Sequence, residues 1–155
     1  MRVLVAGATG AIGRQLVPEL VAAGHEVTGT TRSPARAAGL RAAGARAVVL
    51  DGLDEVAVGE AVARAEPEVV VHEMTAIPAA LSLRRFDECF AATNELRTRG
   101  TDYLLAAAAA AGARRFIAQS YAGWYERAGG PVKTEADPLD PQPPAGQGLQ
   151  RFICA

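Results

Sequence analysis

The sequence predicts an α/β fold, a parallel sheet of about five strands with helices on both faces and an irregular or incomplete C-terminal part. Three observations carry this. The chain opens on Val3-Leu4-Val5-Ala6, a continuous apolar run without period-two alternation, as suits a strand buried on both faces. Further short apolar runs then alternate with helical patterns, the order that gives right-handed crossovers and a parallel sheet. Between the first run and the first helix lies "GATGAIG", with glycines at 7, 10 and 13.

The first strand takes residues 1–6. A helix follows over 11–23, where Ile12, Leu16, Val17, Leu20 and Val21 recur at helical spacing and Gly24 has the place of a C-cap glycine. Pro18 inside it removes one backbone donor and is expected to bend it. "HEVTGTTR" is the second strand, and "SPARAAGLRAAG" is a helix with Ser33 as N-cap and Pro34 at its first position. "ARAVVL" is the third strand, a helix covers about 53–65, and "PEVVVHEM" is the fourth strand. One long helical region covers about 84–111, its polyalanine end stopped by Gly112, and "RRFIAQS" is the fifth strand. After Ser120 the chain is dense in Gly and Pro and carries no periodicity, which predicts loop with at most a short helical turn. The expected organisation is a nucleotide-binding domain over 1–120 and an irregular tail over 121–155.

Composition narrows the partners. The 155 residues suit one domain with a real core, and a net charge of −1 lacks the basic excess that nucleic acid or an anionic membrane attracts. No apolar stretch reaches the length of a membrane span, so a cytoplasmic protein is expected. Cys89 and Cys154 are too few for a disulfide framework, and with His25 and His72 they compose no metal site.

A glycine-rich turn between a strand and a helix N-terminus is a phosphate site. Unpaired N–H groups and the helix dipole face the anion, and glycines admit it closely. The turn is not a P-loop, because Gly13 is followed by Arg14-Gln15 rather than Lys-Ser/Thr. In this Rossmann-type frame the ligand is a dinucleotide. An acidic residue at the end of the second strand would hold the ribose 2′-OH of NAD, whereas Thr31-Arg32 offers a guanidinium suited to the 2′-phosphate of NADP. NADP is therefore expected ahead of NAD, although Arg32 also reads as an ordinary solvated arginine at a strand end.

"MRVLVAGATGAIG" resembles the short-chain dehydrogenase/reductase superfamily, in particular its extended and atypical members, the NAD-dependent epimerase/dehydratase family. The resemblance implies that Gly7, Thr9, Gly10, Ala11, Ile12 and Gly13 surround the pyrophosphate. It likens "LDGLD" to an adenine-binding element, with Asp51 accepting from the adenine amino group beside the backbone of Gly52 and Leu53; Asp51 also reads as a helix N-cap. It sets Glu73, Met74 and Thr75 near the nicotinamide ribose. His72 reads better as a buried histidine satisfied by a hydrogen bond than as a catalyst.

"RTRGTDYLLAAAAAAGARRFIAQS" is similar to the family's N-V-x-G-T helix and the strand that ends in an active-site Ser or Thr. Arg97 holds the place of the asparagine, with Asn94 one turn earlier. Ser120, with Tyr121 beside it, matches the active-site serine, a hydroxyl that would place a substrate hydroxyl or carbonyl for hydride transfer; Ser120 equally reads as a plain strand end. The family's Tyr-x-x-x-Lys pair is absent. Lys133 is the only lysine, and aligning "KTEADPLDPQPPAGQGLQ" puts Ala145 at the tyrosine and Leu149 at the lysine. Tyr121 and Tyr125 are the nearest substitutes, with Glu126 and Glu135 behind them. The implied function is an oxidoreductase or epimerase working by hydride transfer, with a non-catalytic NADP sensor or a truncated remnant as alternatives. The family's C-terminal substrate-binding half has no counterpart here, which makes a homodimer or an incomplete polypeptide expectations as well.

Overall fold

The computed structural model describes residues 1–78, 86–119, 125–126 and 128–140. Five strands, β1 (Arg2–Ala6), β2 (Glu26–Thr31), β3 (Arg46–Val49), β4 (Val69–His72) and β5 (Arg115–Ala118), form one sheet in the order β3-β2-β1-β4-β5. Every pairing is parallel, with Leu4 opposite Thr28 on one side and Val70 on the other. The helices are α1 (Gly13–Ala22), α2 (Pro34–Ala42), α3 (Glu55–Ala65), α4 (Phe86–Arg97) and α5 (Arg99–Ala110).

The alternation along β1 divides the core. Val3 and Val5 join Val27, Val69 and Val71 beneath Val17 of α1 and Leu40 of α2. Leu4 and Ala6 join Val70 beneath Val58 and Val62 of α3, Leu96 of α4, and Leu104 and Ala108 of α5. Both faces of the central strands are thus dry, as the unbroken apolar run required. The direction of the chain reverses across the sheet between β1 and β4, so the carboxyl ends of β1, β2 and β4 open on a crevice where open α/β sheets take ligands.

Local chemistry explains the element ends. Gly24, at φ +80°, follows the last turn of α1, which runs through Pro18 to Ala22. Ser33 stands at the N-cap of α2 with Pro34 next, yet its hydroxyl makes no capping bond; its N–H donates to Thr31 Oγ1 at 3.2 Å. Asp54, not Asp51, caps α3, accepting from the Ala57 N–H at 3.0 Å.

The long helical region expected over about 84–111 consists of two helices, α4 and α5. They part at Thr98, whose backbone leaves the helical range at φ −95° and ψ −85° and whose hydroxyl donates back to the Asn94 carbonyl at 2.9 Å. In the tail, an antiparallel bridge joins Tyr125 to Leu139, and Thr134 and Asp137 close a turn between them. Among the described residues no helix is long and apolar enough to cross a membrane.

Candidate functional site

A cleft of about 390 Å³ lies over the carboxyl ends of β1, β2 and β4. Its floor is the glycine turn. Gly7 sits at φ +86°, and a Cβ there would come within 2.7 Å of the Glu73 carbonyl group, so only glycine meets both the conformation and the contact. Gly13 answers a different need: a Cβ on it would lie 2.6 Å from the Gly7 carbonyl oxygen and 2.7 Å from Ala8. That glycine lets α1 start hard against the strand end. The turn closes through the Gly10 N–H donating to the Gly7 carbonyl at 3.0 Å.

Two threonines at the end of β2 tie this turn down. Thr30 accepts from the Gly7 N–H through its hydroxyl at 3.2 Å and from the Ala8 N–H through its carbonyl at 3.0 Å. Thr31 and Thr9 share a hydroxyl–hydroxyl bond of 2.9 Å. Among the described residues nothing accepts from the N–H groups of Ala11, Ile12 or Gly13, the donors an anion at a helix start would take. Of the pyrophosphate set, Gly7, Thr9 and Gly10 line the cleft, while Ala11, Ile12 and Gly13 form the helix start beside it.

On the β2 side the cleft is walled by Thr30, Thr31, Arg32, Ser33 and Arg36, with no carboxylate among them. Arg36 escaped the sequence reading, although the spacing from Pro34 puts it in the first turn of α2, four residues beyond Arg32. On the β3 side Gly52 and Leu50 line the cleft, whereas Asp51 and Leu53 do not. Asp51 is exposed and its Oδ1 accepts from the Leu53 N–H at 3.1 Å, which shapes the turn and leaves the capping of α3 to Asp54. The sulfur of Met74 packs onto Gly52.

Glu73, Met74 and Thr75 form the β4 wall, with Leu96 of α4. His72, buried at the last position of β4, accepts from the Met74 N–H through Nδ1 at 3.1 Å, and Thr93 accepts from the Ala76 N–H at 3.0 Å. The first bond fixes the neutral Nε2–H tautomer. Burial holds the His72 pKa down at about 4; the Leu96 backbone raises it by less, and the Arg97 charge lowers it further. His72 is therefore a neutral strut for the loop that follows β4, as the buried-histidine reading expected.

Glu73 is half-buried, and burial raises its carboxyl above the ordinary range. Its Oε2 and the Oδ1 of Asn94 are buried without a hydrogen-bond partner among the described residues. Ser120 and Tyr121, the candidate catalytic pair, lie outside the described residues, as do Ala145 and Leu149. Ser120 follows β5 by two residues, and the Gln119 N–H still donates to the His72 carbonyl at 3.3 Å.

A parallel sheet with a glycine cradle, free N–H groups at a helix start and a crevice over the strand ends defines a Rossmann-type dinucleotide-binding protein. Residues 7–142 match the NAD(P)H-binding family, and the chain belongs to it. Among curated relatives, a Streptomyces protein named 3-diazoavenalumate denitrifying reductase is 52% identical over 141 residues, covering 90% of this chain and 44% of that protein. An uncharacterized Schizosaccharomyces pombe protein is 48% identical over 63 residues, 39% of this chain and 21% of its own length.

Solved structures agree on the fold. The UDP-Glc/GlcNAc 4-epimerase of Campylobacter jejuni superposes with a TM-score of 0.78 at 23% identity, over 97% of this chain and 46% of the enzyme. Bordetella bronchiseptica WbmG, crystallised with NAD and UDP, gives 0.76 at 22% identity, over 99% and 48%. A putative epimerase from Burkholderia cenocepacia gives 0.71 at 27%, over 99% and 48%. The chain thus spans less than half the length of these proteins.

Proposed function

We propose that this chain is the dinucleotide-binding part of an NADP-dependent reductase that works by hydride transfer. The observation that carries the NADP preference is the wall at the end of β2, where Arg32, Ser33 and Arg36 line the cleft and no carboxylate does. A 2′-phosphate is a dianion that two guanidiniums can pair, and a ribose 2′-OH would find no acidic partner there. In this reading Gly7, Thr9 and Gly10, with the N–H groups of Ala11, Ile12 and Gly13, hold the pyrophosphate. Gly52 and Leu50 receive the adenine side, with Asp51 and Leu53 beside them, and Glu73, Met74 and Thr75 receive the nicotinamide ribose.

When bound, the reduced dinucleotide supplies the hydride equivalent. The chain's own contribution is to orient it, and Ser120 with Tyr121 would place the group being reduced. Resemblance to a protein named as a reductase favours net reduction over epimerisation. Fluorescence of the single tryptophan, Trp124, followed during titration with NADPH and NADH tests the cofactor. Tighter NADPH binding that is lost in Arg32→Asp supports the reading, and equal affinities overturn it. Net NADPH consumption distinguishes a reductase from an epimerase, with 3-diazoavenalumate, ketones and sugar nucleotides as trial substrates.

A second reading, a non-catalytic NADP sensor, is favoured by Ala145 and Leu149 at the positions of the family's Tyr-Lys pair. NADP binding without turnover on any of these substrates would support it.

A further inference from the structure

Glu73 has chemistry that runs against the ligand its cleft is built for. Its backbone presses on the glycine turn, where a Cβ on Gly7 would lie 2.7 Å from its carbonyl, and its residue lines the same cleft as Gly7 and Gly10. Its Oε2 is buried and has no hydrogen-bond partner among the described residues. Burial is the cause that raises its carboxyl, with no cation compensating.

The surrounding charges explain why. The glycine turn brings no titratable side chain, and Arg14 of α1 is exposed. Arg32 and Arg36 enter from β2 and α2, across β1 from Glu73. Asp51, after β3, is exposed and outside the lining. His72 of β4 is held neutral, and the charge of Arg97 on α4 acts on His72.

A carboxylate here would be desolvated, unpaired and set in the same cleft as a dinucleotide of net negative charge, three effects of one sign. The neutral acid escapes all three and brings an O–H donor to the nicotinamide-ribose side of the cleft. We propose that Glu73 binds the dinucleotide as a neutral acid, taking one proton from solvent onto its carboxyl as the dinucleotide enters. The O–H is donated to a ribose oxygen of the dinucleotide, and the proton returns to solvent when the dinucleotide leaves. This rests on the cleft being the dinucleotide site and is independent of the choice between NADP and NAD.

The test is calorimetric titration of the intact protein, Glu73→Gln and Glu73→Leu with NADP⁺ between pH 5.5 and 8.5, in buffers of different ionisation heat. Protonation of the 2′-phosphate is common to all three proteins and cancels in their differences. The wild type is expected to take up as much as one proton more per NADP⁺ than Glu73→Gln. Its affinity should fall relative to that variant by up to about tenfold per pH unit, leaving the glutamine protein about tenfold or more tighter at pH 8.5. Glu73→Leu, without a donor, should bind more weakly than Glu73→Gln at every pH.

Parallel pH profiles for wild type and Glu73→Gln would overturn the proposal, as would a glutamine protein that binds more weakly throughout, since the carboxylate would then be the acceptor for a cofactor hydroxyl. Equal binding by the leucine and glutamine proteins would remove the donated hydrogen bond. If no protein binds NADP⁺ at any pH, the dinucleotide reading of the cleft fails, and this proposal with it.

Discussion

The two sides of the cleft are built on opposite principles. On the β1–β2 side the backbone and hydroxyl groups that shape the turn are spoken for: Gly7 and Ala8 donate to Thr30, and Thr9 pairs with Thr31. On the β4 side Glu73 Oε2 and Asn94 Oδ1 are buried without partners among the described residues. The first side is a finished scaffold that presents donors to an anion. The second holds polar groups in a costly state, and such groups concentrate where ligands act.

The largest blow to this division is Gly7→Ala, which strikes the contact between the two sides. Positive φ and a Cβ 2.7 Å from the Glu73 carbonyl should together cost about 3 kcal/mol or more and abolish dinucleotide binding. Urea denaturation and NADPH titration read both effects.

The β4 side should be the acid-sensitive one. The His72 pKa is about 4 in the fold against 6.5 for the free side chain, so below pH 6.5 the unfolded chain takes a proton that the native one refuses. Stability is therefore full above pH 6.5, is lost as pH falls toward 4 by about 3 kcal/mol, and levels off below. Glu73, with its raised pKa, contributes in the opposite sense, stabilising at low pH and losing that contribution as pH rises through its folded value. Comparing urea midpoints of the wild type and His72→Asn at pH 7 and pH 4 cancels Glu73 and isolates the histidine.

On the β2 wall, Arg32→Asp should weaken NADPH binding about 10- to 100-fold, the range of one lost charge-assisted pair, and leave NADH binding far less affected. A titration of each coenzyme checks this. Smaller still are the helix caps. Asp54→Ala removes a capping bond and should cost about 1 kcal/mol, whereas Ser33→Ala removes none and should leave the urea midpoint nearly unchanged.

The fold was legible because its signals were long and redundant. Val3-Leu4-Val5-Ala6, "VVVH" and the glycine spacing each point to the same parallel sheet, and Gly24 and Gly112 mark helix ends by their positive φ. What was missed depends on side-chain geometry that periodicity does not encode. Ser33 has an N-cap sequence, but its hydroxyl makes no cap bond. Of two carboxylates three residues apart, only Asp54 reaches a helix N–H. The break at Thr98 is a backbone departure, φ −95° and ψ −85°, within a pattern that otherwise reads as continuous.

At the site, the glycines announced the cradle, but the roles of Thr30 and Arg36 emerge only when β2 lies beside β1 and α2 turns its first residues over the cleft. The orphaned oxygens of Glu73 and Asn94 could not be read from the chain, since burial without a partner is a property of packing.

The threonine ties have a consequence for redesign. Residues 30–33 carry two duties at once, mooring the glycine turn through Thr30 and Thr31 and lining the cleft through Arg32 and Ser33. A wholesale exchange of that segment to change coenzyme selectivity would also unmoor the turn. The editable positions are 32 and 36, whose side chains enter none of those ties, so a selectivity change confined to them leaves the anchorage intact.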